Sequence, residues 1–119
     1  MEGRLMDIES IQARFRAFAR EREWEPFHSP KNIAMALTVE AGELLEHFQW
    51  MTEEASFDLD SEKKEQVAQE IADVQLYLCR IADLLKIDMA EAVDRKMVIN
   101  EEKYPADLVR GSAKKYTEY

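Results

Sequence analysis

One hundred and nineteen residues suffice for a single domain, expected to span residues 1–119, with a core that needs no disulfide or structural metal; 46% hydrophobic against 34% charged residues excludes a disordered chain. A net charge of −9 argues against binding to a nucleic-acid polymer, which requires a basic face, but is compatible with a nucleotide whose phosphates arrive with cations. No apolar run approaches the roughly 18 residues of a membrane span, and "MEGRLMDIES" lacks the apolar stretch of a signal peptide, so a cytoplasmic chain with no membrane partner is expected.

Three Gly and three Pro in a chain rich in Ala, Leu, Glu, Lys and Met predict helices throughout. In the first, "DIESIQARFRAFARERE", Ile8, Ile11, Phe15 and Phe18 recur at helical spacing with the charges on the other side. "WEPFHSP" ends it, because Pro26 and Pro30 restrict the residues before them. Ser29 as N-cap and Pro30 in the first turn start a second helix, expected to run to about Met51. "TEEASFDLDSE" reads as an acidic, irregular connection.

The third helix, "SEKKEQVAQEIADVQLYLCRIADLLK", carries Val67, Ile71, Val74, Leu78, Ile81 and Leu85 on one stripe. A neighbouring stripe holds Glu70, Asp73, Tyr77 and Leu84. The lone Cys79 lies within this helical pattern, where a reduced, packed thiol is expected. Asp88 and Glu91 form a capping box that opens the fourth helix, and Pro105 closes it. The tail "ADLVRGSAKKYTEY" shows a turn signal at Gly111–Ser112 and little helical pattern.

The acids are what this pattern does not explain. At about 100° per residue, Ile33, Leu37, Leu44 and Phe48 share one face of the second helix, yet Glu40 projects between them and Glu43 lies on the flank. A carboxylate on an apolar face is costly unless a cation or hydrogen-bond donors meet it. Glu40-x-x-Glu43 and Glu70-x-x-Asp73 each place two carboxylates one turn apart. If the second and third helices pack antiparallel, the pairs converge into an oxygen-rich patch suited to a hard cation such as Mg²⁺.

Spacing alone does not separate this from a solvated helix face, since Glu62/Glu65 and Glu91/Asp94 repeat it in a chain with 25 acids. Position sets the first two pairs apart from these, as either a metal site or acids met by other partners. A di-iron bundle would require Glu-x-x-His on two helices, whereas His47 stands four residues after Glu43 and the third helix has no histidine. Lys96, Asn100 and Lys103 share a face of the fourth helix and suit phosphates, or form a surface stripe. Trp24, Phe27, His28 and Trp50 flank the second helix at its two ends, where aromatics either stack on a base or pack a core.

With these residues in view, the chain resembles the MazG-like all-α nucleoside triphosphate pyrophosphohydrolases, closest to the dCTP pyrophosphatase branch. The four acids, with a gap of 26 residues between the pairs, carry the resemblance together with "FAREREWEPFHSPKNIAMAL", "EAGELLEHFQW", "EIADVQLYL", "KMVINEEKYP" and "RGSAKKYTE", in that order. It covers the chain from about Ile11 to Glu118. The loop between Trp50 and Glu70, and Thr38 and Val39, are less family-like.

The resemblance implies an all-α four-helix bundle completed by oligomerisation, as a homodimer or homotetramer. It implies Mg²⁺-dependent hydrolysis of a nucleoside triphosphate, dCTP or a modified dCTP, to monophosphate and pyrophosphate, in nucleotide-pool house-cleaning. Carried over by position, Glu40, Glu43, Glu70 and Asp73 would be metal ligands and catalytic groups. Lys96 and Asn100 would hold phosphates and nucleotide, Trp24, His28 and Trp50 would surround the base, and Tyr77 would lie near the sugar. Arg110, Lys115 and Tyr116 would belong to a closing tail. The rival readings are a non-catalytic helical interaction module and an enzyme of broader nucleotide range.

Overall fold

A computed structural model describes residues 6–112, and among them every regular element is helical. The chain divides into two compact units, Met1–Lys86 and Ile87–Tyr119.

The first unit begins with α1 (Ile8–Glu21), whose N-cap Asp7 accepts from the Ser10 amide at 3.2 Å. The helix ends in a Schellman arrangement: Trp24 N–H donates to Ala19 O and Glu23 N–H to Arg20 O, with Glu23 at φ 55°. A non-glycine residue there costs on the order of 1 kcal/mol. That turn leads Trp24 into a 3₁₀ turn over Glu25–Phe27, built on Pro26.

Ser29 then caps α2 (Pro30–Glu46) by accepting from the Asn32 amide at 3.1 Å, as its sequence predicts. The helix stops five residues short of Met51. The His47 amide is shared between Leu44 O and Leu45 O, and this tightened last turn continues as turns through Trp50. The acidic connection is also more regular than expected. Thr52 accepts from the Ala55 amide at 3.1 Å and caps a single turn, α3 (Glu53–Ser56).

The longest element, α4 (Ser61–Leu84), opens on Asp60, which accepts from the Lys63 amide at 2.7 Å. Both α1 and α2 pack on it. Two cross-links fix the direction of α2. Lys63 Nζ at the start of α4 donates to His47 Nδ1 beyond the end of α2 at 3.3 Å. Arg80 near the end of α4 reaches His28 just ahead of α2 at 3.2 Å. The two helices therefore run antiparallel.

Ala19, Ile33, Val67, Cys79 and Ala82 are the buried core, and Gln12 of α1 donates to the Cys79 carbonyl at 3.0 Å. The packed, reduced Cys79 agrees with its sequence context.

The apolar stripe of α4 is only partly covered: three of its six residues are exposed. Val67 is buried, but Ile71 is 54% exposed, Leu78 37% and Leu85 50%. The stripe with Glu70, Asp73 and Tyr77 is the more enclosed of the two.

In the second unit, Asp88 accepts from the Glu91 amide at 3.1 Å and caps α5 (Met89–Lys103). Pro105 precedes a single turn, α6 (Ala106–Val109), in the tail expected to be irregular. Gly111 at φ 80° allows Ser112 N–H to return to Val109 O at 2.8 Å, a conformation that favours glycine.

Candidate active site

The antiparallel pairing of α2 and α4 brings the acids together. One carboxylate oxygen each of Glu40, Glu43 and Glu70 lies within 4.8 Å of the others. Asp73, one turn along α4, stands outside that closest group, yet its charge contributes to holding the Glu40 proton. Two oxygens, Glu40 Oε2 and Glu70 Oε2, are buried without a hydrogen-bond partner.

Burial comes first among the causes that push the Glu40 carboxyl up to about 7; the adjoining carboxyl groups of Glu70 and Glu43 and the charge of Asp73 follow. Among the described residues no lysine or arginine forms an ion pair with any of the four acids. Orphaned, buried, all-oxygen donors beside one another fit a hard divalent cation. His47 is engaged by Lys63 and is not part of this group, which removes the histidine that a di-iron site would need.

Tyr77 joins the acids to an aromatic cluster. It follows Asp73 by one turn of α4, and its hydroxyl pKa is raised by burial and then by the charges of Glu40 and Asp73. Its ring lies 6.1 Å from that of Phe15. Phe15 meets His28 edge-on at 5.8 Å and Phe18 at 6.0 Å; Trp24 stacks edge-on against Phe18 at 5.6 Å and tilts against His28 at 6.4 Å. Acids, tyrosine and aromatic cluster thus form one continuous strip in the first unit. An apolar hollow of about 330 Å³ borders it, lined by Ile11, Arg14, Phe15, Phe18 and Leu76.

Trp50 is not brought to this cluster. It is 90% exposed, beyond the far end of α2, whose 17 residues separate it from His28 by about 25 Å of helix. In the second unit, Lys96 and Asn100 lie on α5, and Arg110 forms an exposed ion pair with Asp107 at 3.6 Å. Lys115 and Tyr116 lie outside the described residues.

Three members of the strip were not anticipated as site residues. Phe15 and Phe18 read as ordinary core of α1. Arg80 follows Asp73 by seven residues and Tyr77 by three, so the helical period that selected those two also selects Arg80.

Comparisons with known proteins place the chain in a family. The MazG-like family profile matches residues 35–119. The dCTP pyrophosphatase 1 of Homo sapiens is 43% identical over 98% of this chain and 68% of its own length; that of Bos taurus is 41% identical over 98% and 69%. The crystal structure of a pyrophosphatase from Archaeoglobus fulgidus superposes with a TM-score of 0.78 at 39% identity, covering 88% of this chain and 98% of that one. The chain belongs to the MazG-like family.

Proposed function

We propose that this chain, a nucleotide pyrophosphohydrolase like its relatives, converts a deoxynucleoside triphosphate to the monophosphate and pyrophosphate with Mg²⁺. The preferred substrate is dCTP or a modified dCTP. The observation that carries the reading is the trio Glu40, Glu43 and Glu70 with two buried, unpartnered oxygens. The pyrophosphatases among its relatives support the reaction, and the donor set supports the metal. No helix among the described residues is long and apolar enough to cross a membrane.

Glu40, Glu43, Glu70 and Asp73 would hold the ion, which when bound supplies positive charge to the phosphates and lowers the pKa of water beside it. A carboxylate oxygen left outside the metal's shell orients water for attack on the α-phosphorus and holds its proton. The bond from that phosphorus to the α–β bridging oxygen breaks, and pyrophosphate leaves. Tyr77, between the acids and the aromatic cluster, packs against the sugar, while Trp24 and His28 border the base. The roles of Lys96 and Asn100 at the phosphates, and of Arg110, Lys115 and Tyr116 in a closing tail, rest on the sequence resemblance.

Trp50 contributes to the base site of a second copy. A single chain keeps it a helix length from His28, with its side chain 90% exposed. Trp50→Ala should raise KM by roughly 5- to 100-fold through lost stacking, with kcat little changed. Steady-state kinetics on the best substrate tests this, and an unchanged KM removes Trp50 from the site.

The test of the function itself is pyrophosphate release from a panel of NTPs and dNTPs, with and without Mg²⁺. Release is expected only with the metal, with dCTP ahead of CTP because a Tyr77 ring packed against C2′ disfavours a 2′-hydroxyl. Equal kcat/KM for dCTP and CTP refutes the role of Tyr77. No release from any nucleotide would favour the interaction module.

A further inference from the structure

Arg80 is the buried charged side chain of the described residues, with 5% exposure. Burying a guanidinium is costly, and an apolar residue of similar size often serves stability as well or better. Its contacts therefore call for a use. Nη1 lies 3.6 Å from Asp83 Oδ2, an oxygen that also accepts from Arg16 Nη1 of α1 at 2.7 Å. Anchored in this way, with Cζ 5.9 Å from the centre of the Phe15 ring, the guanidinium donates Nε–H to His28 Nδ1 at 3.2 Å.

Arginine has donors only, so the imidazole nitrogen facing it must offer a lone pair. In a neutral imidazole the proton then sits on Nε2. That nitrogen makes no hydrogen bond among the described residues and is not among their buried unpartnered atoms, so it is not sealed in the interior.

We propose that Arg80, held by Asp83, is a positioning residue that fixes His28 as the neutral Nε2–H tautomer. The base site then presents a donor and selects a base edge bearing an acceptor, a carbonyl oxygen or unprotonated ring nitrogen. The proposal rests on the reading of His28 as a base-site residue. Charge works in the same direction. Burial first, then Arg80, lowers the His28 pKa against the weaker pull of Glu25, while Asp83 lies behind Arg80 and is shared with Arg16. A histidine that changed charge or tautomer would show the substrate two different faces; Arg80 removes that ambiguity.

The nucleotide-free protein tests the tautomer without any assumption about substrate. The chain has two histidines, so ¹⁵N imidazole spectra are assigned with a His47→Gln variant. At pH 7 the His28 ring should show unprotonated Nδ1 and protonated Nε2. An Nδ1–H ring, a mixture of tautomers or a charged ring overturns the proposal.

In Arg80→Met the tautomers should mix, KM for the best nucleotide should rise about tenfold with kcat nearly unchanged, and discrimination between bases should flatten. Arg80→Lys, which keeps a cationic donor, should recover part of both the tautomer preference and KM. Circular dichroism identifies a variant that fails to fold; the wild-type spectrum and Arg80→Lys then decide the matter. A fall in kcat for every nucleotide with the tautomer unchanged would make Arg80 merely structural. Should wild type hydrolyse no nucleotide, the selective use of the tautomer falls with the reading of the site, whatever the spectrum shows.

Discussion

Glu40→Gln is expected to lower kcat by at least roughly 10²–10³-fold while making the metal-free protein more resistant to heat at pH 8. The two effects have one cause. In the folded, metal-free protein the Glu40 carboxyl is raised to about 7 from an ordinary 4.5, so between those values the folded state binds more protons than the unfolded one. Stability conferred by the proton is complete below about 4.5, declines as pH rises, and is gone above about 7.

At pH 8 the charge on Glu40, set beside Glu43, Glu70 and Asp73, therefore opposes the fold unless a cation joins it. Glutamine removes one charge and supplies an N–H₂ donor for a neighbouring carboxylate, so its melting temperature should exceed that of wild type without metal. Mg²⁺ should raise the melting temperature of wild type and leave the variant unmoved. Asp73→Asn should likewise lose activity; standing outside the closest trio, it should relieve less repulsion. Calorimetric melts at pH 5 and pH 8, with and without Mg²⁺, read all of this. A Glu40→Gln variant with near wild-type turnover, or one still stabilised by Mg²⁺, would show that the ion is held elsewhere.

Charge placed in the exposed seam of α4 should abolish activity without touching the acids. Ile71, Leu78 and Leu85 recur every seven residues with Val74 and Ile81 between them, the pattern of a helix seam that packs against another helix. Within one chain Ile71, Leu78 and Leu85 of this seam are exposed, as are Met35, Val39 and Leu45 on α2. A two-fold copy that presents the same patch would bury both sets, at about 1.5–3 kcal/mol for each large side chain fully covered. It would also be the source of Trp50 for each base site.

Ile71→Asp with Leu78→Asp duplicates buried charge across such an interface and should yield a monomer with at least roughly 100-fold lower kcat/KM. Light scattering at micromolar concentration should give two or four times 13.9 kDa for wild type and 13.9 kDa for the variant. A wild-type protein that is fully active at 13.9 kDa would refute the assembly.

Local chemistry written in the sequence determined the helices. Ser29 with Pro30, and Asp88 with Glu91, start helices where their backbone preferences and capping side chains require, and each cap bond spans three residues. The out-of-place Glu40 was legible for the same reason, since a helix face is a periodic property of its own sequence. The four acids could be nominated from that pattern, as could Tyr77 one turn beyond Asp73.

Short-range preferences did not reveal where α2 would tighten and stop at Glu46, or that Thr52 would cap an extra turn. Tertiary structure decided what no local pattern contains. The antiparallel docking of α2 on α4 placed Glu70, rather than Asp73, closest to Glu40 and Glu43. It also brought Arg80 to His28, 52 residues away in the chain, and kept Trp50 at the opposite end of α2. Two stripes on α4 had comparable claims to the interior, and the one with the acids took the more protected side, leaving half of the more apolar one exposed. A helix specifies its faces by period, but which face is covered depends on the partners that reach it, and those contacts join residues far apart along the chain.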